Sequence, residues 1–391
     1  MNIKNSSRIE TLSTSLTMEI TSISRKLKAQ GKDIVSFSAG EPDFDTPKII
    51  KEASIQAIQN GFTKYTAVEG TLEVRQAICD KLRRDNGLHY QAEDIVVSNG
   101  AKHSLFNLFQ ILVDSGDEVI IPSPYWVTYP EQVKFSNGIP VILKTDESTD
   151  FKITPEQLQQ AISPKTKILL LNTPCNPTGS VYTKEELQAI AEVLADSDIL
   201  ILSDEMYERI MYDNKKFTAV ASINDDMFQR TITINGLSKS VAMTGWRFGY
   251  IATPNKNIIK NMIKLQGQMT SNVNSITQKA AIPALQGLVE DDIIMMKNAF
   301  EARRNFLVSA FNSMKNISCY NPQGAFYLFV NISKITLDSM NFCKNILEKK
   351  GVALVPGEAF GMKGYFRLSF ATSMKNIEEG VRRIQEFLEE M

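Results

Sequence analysis

Histidine is almost missing from this 391-residue chain: it has only His89 and His103. That leaves little material for a histidine-based zinc site or a Ser-His-Asp triad. His103 falls in the first turn of an expected helix and His89 in a polar loop, so both read as structural. The four cysteines, Cys79, Cys175, Cys319 and Cys343, are widely separated and form no C-x-x-C pair, which argues against a disulfide framework or a structural zinc. No G-x-x-x-x-G-K-[ST] loop and no G-x-G occurs, so the usual phosphate-loop and dinucleotide fingerprints are absent. The sequence has no apolar window near the ~20 residues that span a bilayer, and MNIKNSSRIETLS contains no apolar signal core. With 43 Lys+Arg against 44 Asp+Glu, the net charge of −1 provides no overall field for nucleic acid or an anionic membrane. A soluble protein of the reducing cytoplasm with a small-molecule partner is the expectation.

What is present is a repeated strand, turn and helix pattern. Thr46-Pro47 predicts a helix with Pro47 in its first position; Ile50, Ala53, Ala57 and Ile58 mark its apolar face and Gly61 its stop. Residues 94–98 (DIVVS) read as a buried strand, followed after Asn99-Gly100 by a helix with Leu105, Leu108, Phe109 and Leu112 on one face. Further strands are expected at 118–121, 168–171, 199–203 and 231–234. The box Thr183-x-x-Glu186 should open the helix ELQAIAEVL. Such units imply an α/β fold with a mainly parallel sheet covered by helices. After about residue 289 come a charged helix, strands at 325–330, 352–356 and 365–370, and a last helix with Ile377, Val381, Ile384 and Leu388 on one face. The expected division is a large domain over 48–289 and a smaller α+β domain made of 1–47 and 290–391.

Ligands of open α/β sheets bind beyond the carboxyl ends of the strands. Those ends carry Ser98 to Lys102, Ser123 to Trp126, Asn172 to Asn176, Asp204 to Tyr207, and Ser238-Lys239. Polar residues end strands in most proteins, so each turn has an ordinary explanation. A Lys, an Asp, an Asn, a Tyr and a Trp, each after a buried strand, point together to one site.

The runs GLSKSVAMTGWRFGY (236–250), NTPCNPTG (172–179), SDEMYE (203–208), AGEPDFDTP (39–47), SPYWVTYP (123–130) and FRLSFA (366–371) occur in an order and spacing that resembles the class I aminotransferases, whose cofactor is pyridoxal 5′-phosphate (PLP). The likeness spans nearly the whole chain and is greatest to the bacterial aspartate aminotransferases. It implies amino transfer between an amino acid and a 2-oxo acid, aspartate and 2-oxoglutarate foremost, by a ping-pong route through pyridoxamine phosphate. Aromatic or prephenate amino transfer, a carbon–sulfur lyase and a non-catalytic PLP-binding regulatory domain are the alternatives. The last is disfavoured by the presence of Lys239, Asp204 and Arg367 together.

The resemblance also implies roles, each with a plainer alternative. Lys239 would hold the cofactor as a Schiff base and then carry the proton from Cα to C4′. Asp204, otherwise a helix cap, would pair with the pyridine nitrogen. Tyr207 and Asn176 would bond the phenolic oxygen, and Trp126 would stack on the ring; the plainer readings are a helix-face tyrosine, a turn residue and a core tryptophan. Gly100, Ala101, Ser238 and Arg247 would hold the phosphate at a helix start, with Arg247 placed in a strand. Tyr65, otherwise a loop tyrosine, would reach the phosphate of a neighbouring subunit, implying a homodimer with shared sites. Arg367 and Gly40 would bind the substrate α-carboxylate. Lys102, placed also at the cofactor, and Thr17 would recognise a distal carboxylate. Ser13 stands where relatives that accept prephenate tend to carry lysine, which lowers the expectation of that activity.

Overall fold

The computed structural model describes residues 4–391. Its first strand, β1 (Val35–Ser36), is followed by seven that build the central sheet: β2 (Ile95–Ser98), β3 (Glu118–Ser123), β4 (Ile139–Lys144), β5 (Thr166–Asn172), β6 (Leu200–Asp204), β7 (Thr231–Gly236) and β8 (Gly249–Ala252). Their order is β2-β8-β7-β6-β5-β3-β4. Within it β8 alone runs against its neighbours, β2 and β7, and the other pairs are parallel. The middle strands are buried on both faces, as their near-continuous Ile, Leu and Val content requires.

The C-terminal part adds β9 (Ser318–Cys319), β10 (Tyr327–Asn331), β11 (Val352–Ala353), β12 (Val355–Pro356) and β13 (Tyr365–Ser369). Four of these form an antiparallel sheet in the order β12-β13-β10-β9, while β11 pairs in parallel with β1. The N-terminal segment thereby joins the C-terminal elements: the Phe37 carbonyl also accepts from the Ser369 N–H at 2.9 Å. The 24-residue helix Glu290–Ser313 leads into this region. No helix among the described residues is long and apolar enough to cross a membrane.

Local chemistry accounts for most element boundaries. Thr183 and Glu186 form the expected reciprocal capping box, and the helix runs Lys184–Leu194. Ile377, Val381 and Ile384 are buried on the final helix, Met374–Glu389. Four expectations need correction. Pro47 caps the helix Lys48–Gln59 from outside, its ψ of 144° being too extended for a first helical residue. Ile58, expected on that helix's packed face, is 54 % exposed. The run 352–356 divides at Leu354 into two short strands with different partners. Arg247 is not in a strand: it sits in a left-handed turn, φ 58°, two residues before β8. A further helix, Leu16–Ala29, has no counterpart in the sequence reading.

Candidate active site

The carboxyl ends of β3, β5, β6 and β7, together with the start of the helix Ala101–Leu112, open on a cleft of about 320 Å³. Lys239, three residues beyond the end of β7 at Gly236, is half-buried and donates from Nζ to the Gly40 carbonyl at 2.5 Å. Burial, with the charges of Arg247 and Arg367, pulls its pKa down to about 8 against the opposing pull of Glu41 and Asp204. A neutral, nucleophilic amine is therefore accessible near neutrality. Asp204, the last residue of β6, is 4 % exposed. Burial raises its pKa to about 6, although Tyr129 donates to Oδ2 at 2.7 Å and the Met206 N–H to Oδ1 at 3.3 Å. Such a carboxylate lacks the cation that its burial calls for.

One turn further, Tyr207 lies buried with its hydroxyl 2.8 Å from that of Tyr327. Burial and then Tyr327 keep the phenol strongly protonated. Asn176 is held by its backbone N–H, which donates to Asn172 Oδ1 at 2.8 Å, leaving its side chain to meet Arg367. Trp126 lines the cleft, with its ring 5.3 Å from that of Tyr129 in an edge-on contact.

The start of the helix Ala101–Leu112 makes an anion cradle, because the first N–H groups of a helix have no intrahelical acceptor. Gly100 precedes it at φ 86°, and a Cβ there would collide with the Arg247 guanidinium. Arg247 is steered by the Thr244 and Asn99 carbonyls at 2.9 and 3.3 Å, and Ser238 borders the same space. Glycine at 100 and 249 keeps backbone and guanidinium close enough to close on a small anion.

Arg367 enters from β13 and is 2 % exposed. It donates to Asn176 Oδ1 at 3.0 Å and to the Ser38 carbonyl at 2.8 Å, lies over the Tyr327 and Phe360 rings at 4.5 and 5.0 Å, and has no partner for Nε. Gly40 borders the cleft beside it. Lys102 is exposed, with Nζ 4.8 Å from the centre of the Trp126 ring; desolvation and then Arg247 pull its pKa down. Thr17 also lines the cleft, and its buried hydroxyl has no partner. Among the described residues, Lys102, Lys239, Arg247 and Arg367 have no carboxylate within the 4.0 Å of an ion pair. Four such cations around one cleft suit a ligand set with several negative charges.

The structure thus brings together every expected site residue except Tyr65, which is 89 % exposed in the segment between the helices Lys48–Gln59 and Leu72–Asn86. It adds Tyr129, Tyr327 and Thr244, which sequence reasoning did not single out. Tyr129 lay within the SPYWVTYP run, so the motif held a signal; Tyr327 sits in an apolar strand that gave none.

Comparison with known proteins agrees with this geometry. The model of the family described as aminotransferase class I and II matches residues 32–384. An aspartate/prephenate aminotransferase of Nitrosomonas europaea is 48 % identical, covering 99 % of this chain and 100 % of the relative. An aspartate aminotransferase of Geobacillus stearothermophilus is 46 % identical, with 99 % of each covered. Among solved structures, the aspartate aminotransferase from Rhizobium meliloti has a TM-score of 0.95 at 40 % identity over 98 % of both chains. That from Thermus thermophilus with maleate has 0.94 at 39 %, covering 98 % of this chain and 100 % of the other. The anion cradle, the buried carboxylate and the amine of lowered pKa fit the phosphate, ring nitrogen and aldehyde of PLP, and the chain belongs to the class I and II aminotransferases, which depend on that cofactor.

Proposed function

We propose that the chain moves the amino group of aspartate to 2-oxoglutarate, giving oxaloacetate and glutamate in two half-reactions at one site. The observation that carries this reading is the pair of cations without carboxylate partners, Arg367 and Lys102, lining one cleft with Lys239. When bound, PLP supplies an electron-accepting ring and stores the amino group between the half-reactions. In the proposed division of labour, Lys239 would hold the cofactor through its aldehyde carbon and, as a free amine, would carry the proton of the substrate's Cα. Asp204 keeps the ring nitrogen protonated, and Tyr207 and Asn176 bond the phenolic oxygen. Trp126 covers the ring; Ser238, Arg247 and the N–H groups after Gly100 hold the phosphate. Arg367, with the backbone at Gly40, binds the α-carboxylate, and Lys102 and Thr17 face the distal one.

Tyr65 and the exposed Ile55, Ile58 and Leu72 on the flanking helices support a homodimer in which Tyr65 completes the partner's phosphate site. The division into 48–289 and the two flanking segments, and a cytoplasmic location, belong to the same proposal. Prephenate is the second reading, because the Nitrosomonas europaea relative is named for it. Ser13 argues against it here: it offers no cation, and its N–H is engaged by Glu131 Oε2 at 2.7 Å. Mixing the PLP-loaded enzyme with single amino acids, without an acceptor, tests the assignment through the cofactor's absorbance change. Aspartate and glutamate should react fastest; a preference for phenylalanine, or, when the aminated enzyme is then offered 2-oxo acids, for prephenate over 2-oxoglutarate, would overturn the substrate while keeping the amino transfer.

A further inference from the structure

Tyr129 is 1 % exposed, and its hydroxyl lies 2.7 Å from Asp204 Oδ2. It stands in the helix Thr128–Phe135, just after β3 and away from β6 in the chain, and its backbone N–H donates to the Trp126 carbonyl at 3.0 Å. Its ring meets that of Trp126 edge-on. One side chain thus touches both the carboxylate proposed to face the ring nitrogen and the indole proposed to cover the ring. Asp204 has just two hydrogen bonds on its carboxylate, and the other, from the Met206 N–H, is long at 3.3 Å. Neither histidine of the chain hydrogen-bonds this carboxylate, whose donors are the Tyr129 hydroxyl and the Met206 N–H.

We propose that Tyr129 is a positioning residue: its hydroxyl holds Asp204 in its charged form and aims the remaining lone pairs into the cleft at the cofactor's ring nitrogen. The physical reason is the cost of a buried carboxylate, which a short hydrogen bond to the charged form offsets. The bond from Tyr129 is the strongest influence holding the Asp204 carboxylate ionised against burial; Lys239 acts in the same sense more weakly. The phenol cannot surrender its own proton, because burial, the Asp204 charge, and then Cys175 and Tyr207 all raise its pKa. It therefore remains a donor at any working pH.

The inference rests on the reading of Asp204 as the ring-nitrogen partner, and the test separates the two. Equilibrium dissociation constants would be measured for PLP and for its carbocyclic analogue, in which the ring nitrogen is replaced by C–H. The measurements would use the full-length parent, Tyr129→Phe and Asp204→Asn. The parent should prefer PLP, and Tyr129→Phe should reduce that preference about tenfold while binding the analogue as the parent does. Equal weakening of both ligands would assign Tyr129 to packing alone and overturn the proposal. If Asp204→Asn keeps the full preference for PLP, the Asp204 reading itself fails; if it loses the preference and Tyr129→Phe does not, only the present inference falls. Should Tyr129→Phe not fold, a fluorotyrosine at position 129, which keeps the ring and strengthens the donor, should raise the preference. An unchanged preference in that protein would equally overturn the role.

Discussion

Arg367 and Lys102 line the same cleft, yet the first is 2 % exposed with two hydrogen bonds and two aromatic rings against it, whereas the second is exposed and rests on the face of Trp126 alone. The rigid cation is the one proposed to meet the α-carboxylate, a group common to every amino acid. The looser cation is proposed to meet the part of the substrate that varies. A pre-arranged guanidinium loses little freedom on binding a planar carboxylate, and its unpartnered Nε already awaits an acceptor. A lysine on a flexible stem tolerates a gap, at the cost of a weaker and more salt-sensitive contact.

The largest effect expected falls on neither cation. Lys239→Ala should still fold and bind PLP, but should lose roughly a thousandfold or more in turnover, because the cofactor's attachment and the proton carrier go together. Activity within about tenfold of the parent, or ~1.4 kcal/mol of barrier, would remove Lys239 from the chemistry. Arg367→Leu comes next, with a loss of about 3–5 kcal/mol in kcat/KM that should be alike for aspartate, glutamate, phenylalanine and alanine. Lys102→Met should cost aspartate and glutamate about tenfold and leave phenylalanine and alanine nearly unaffected. Single-turnover rates followed by the cofactor's absorbance compare all four donors without a coupling enzyme. A uniform loss in Lys102→Met would place that lysine with the phosphate or the helix start and erase the contrast with Arg367.

Tyr65 extends the comparison to a residue whose proposed target is not in its own chain. Mixing Tyr65→Phe subunits with Lys239→Ala subunits should give heterodimers in which one site carries both changes and the other neither. Activity of the mixture above the sum of its parents supports the shared site. No gain, with subunit exchange verified by mass, would confine Tyr65 to its own chain.

The parts of this molecule most readable from sequence are those where backbone chemistry acts locally. Thr183 and Glu186 announce a helix start, and Ile95 to Ser98 read as a strand because every one of these side chains is buried. The site was legible where a residue ends a strand or lies within three residues of its end, as Asp204 and Lys239 do, since the ends of parallel strands gather on one edge. Arg247 was misplaced because no local pattern marks its left-handed turn, and its guanidinium contact with the Asn99 carbonyl joins residues far apart in the chain. Ile58 has the spacing of a packed residue, but helical periodicity does not distinguish a core from another apolar surface. Tyr327 meets Arg367 through the pairing of β10 with β13 and meets Tyr207 across 120 residues of chain, contacts that no local pattern announces.

Asp204 completes the contrast, for it is as buried as Arg367 but lacks an equal set of partners. Its pKa is raised from 3.8 to about 6, by burial first and despite the Tyr129 hydrogen bond, so the folded protein binds this proton more tightly than the unfolded chain does. Below pH 3.8 both states are protonated and Asp204 costs nothing. Between pH 3.8 and about 6 the unfolded chain releases the proton first, and the stability of the cofactor-free protein falls as pH rises. Above about 6 the penalty is complete. Asp204→Asn keeps the shape and removes the charge, so the cofactor-free variant should be more stable than the parent at pH 7, by about 1–3 kcal/mol. That gain should shrink as the pH falls through 6 towards 4. Thermal melts of both proteins without PLP, at pH 7 and pH 4.5, measure it directly. A variant less stable than the parent at pH 7, or a gain that is the same at both pH values, would show that Asp204 is already satisfied by Tyr129 and Met206 and does not depend on the cofactor for its missing cation.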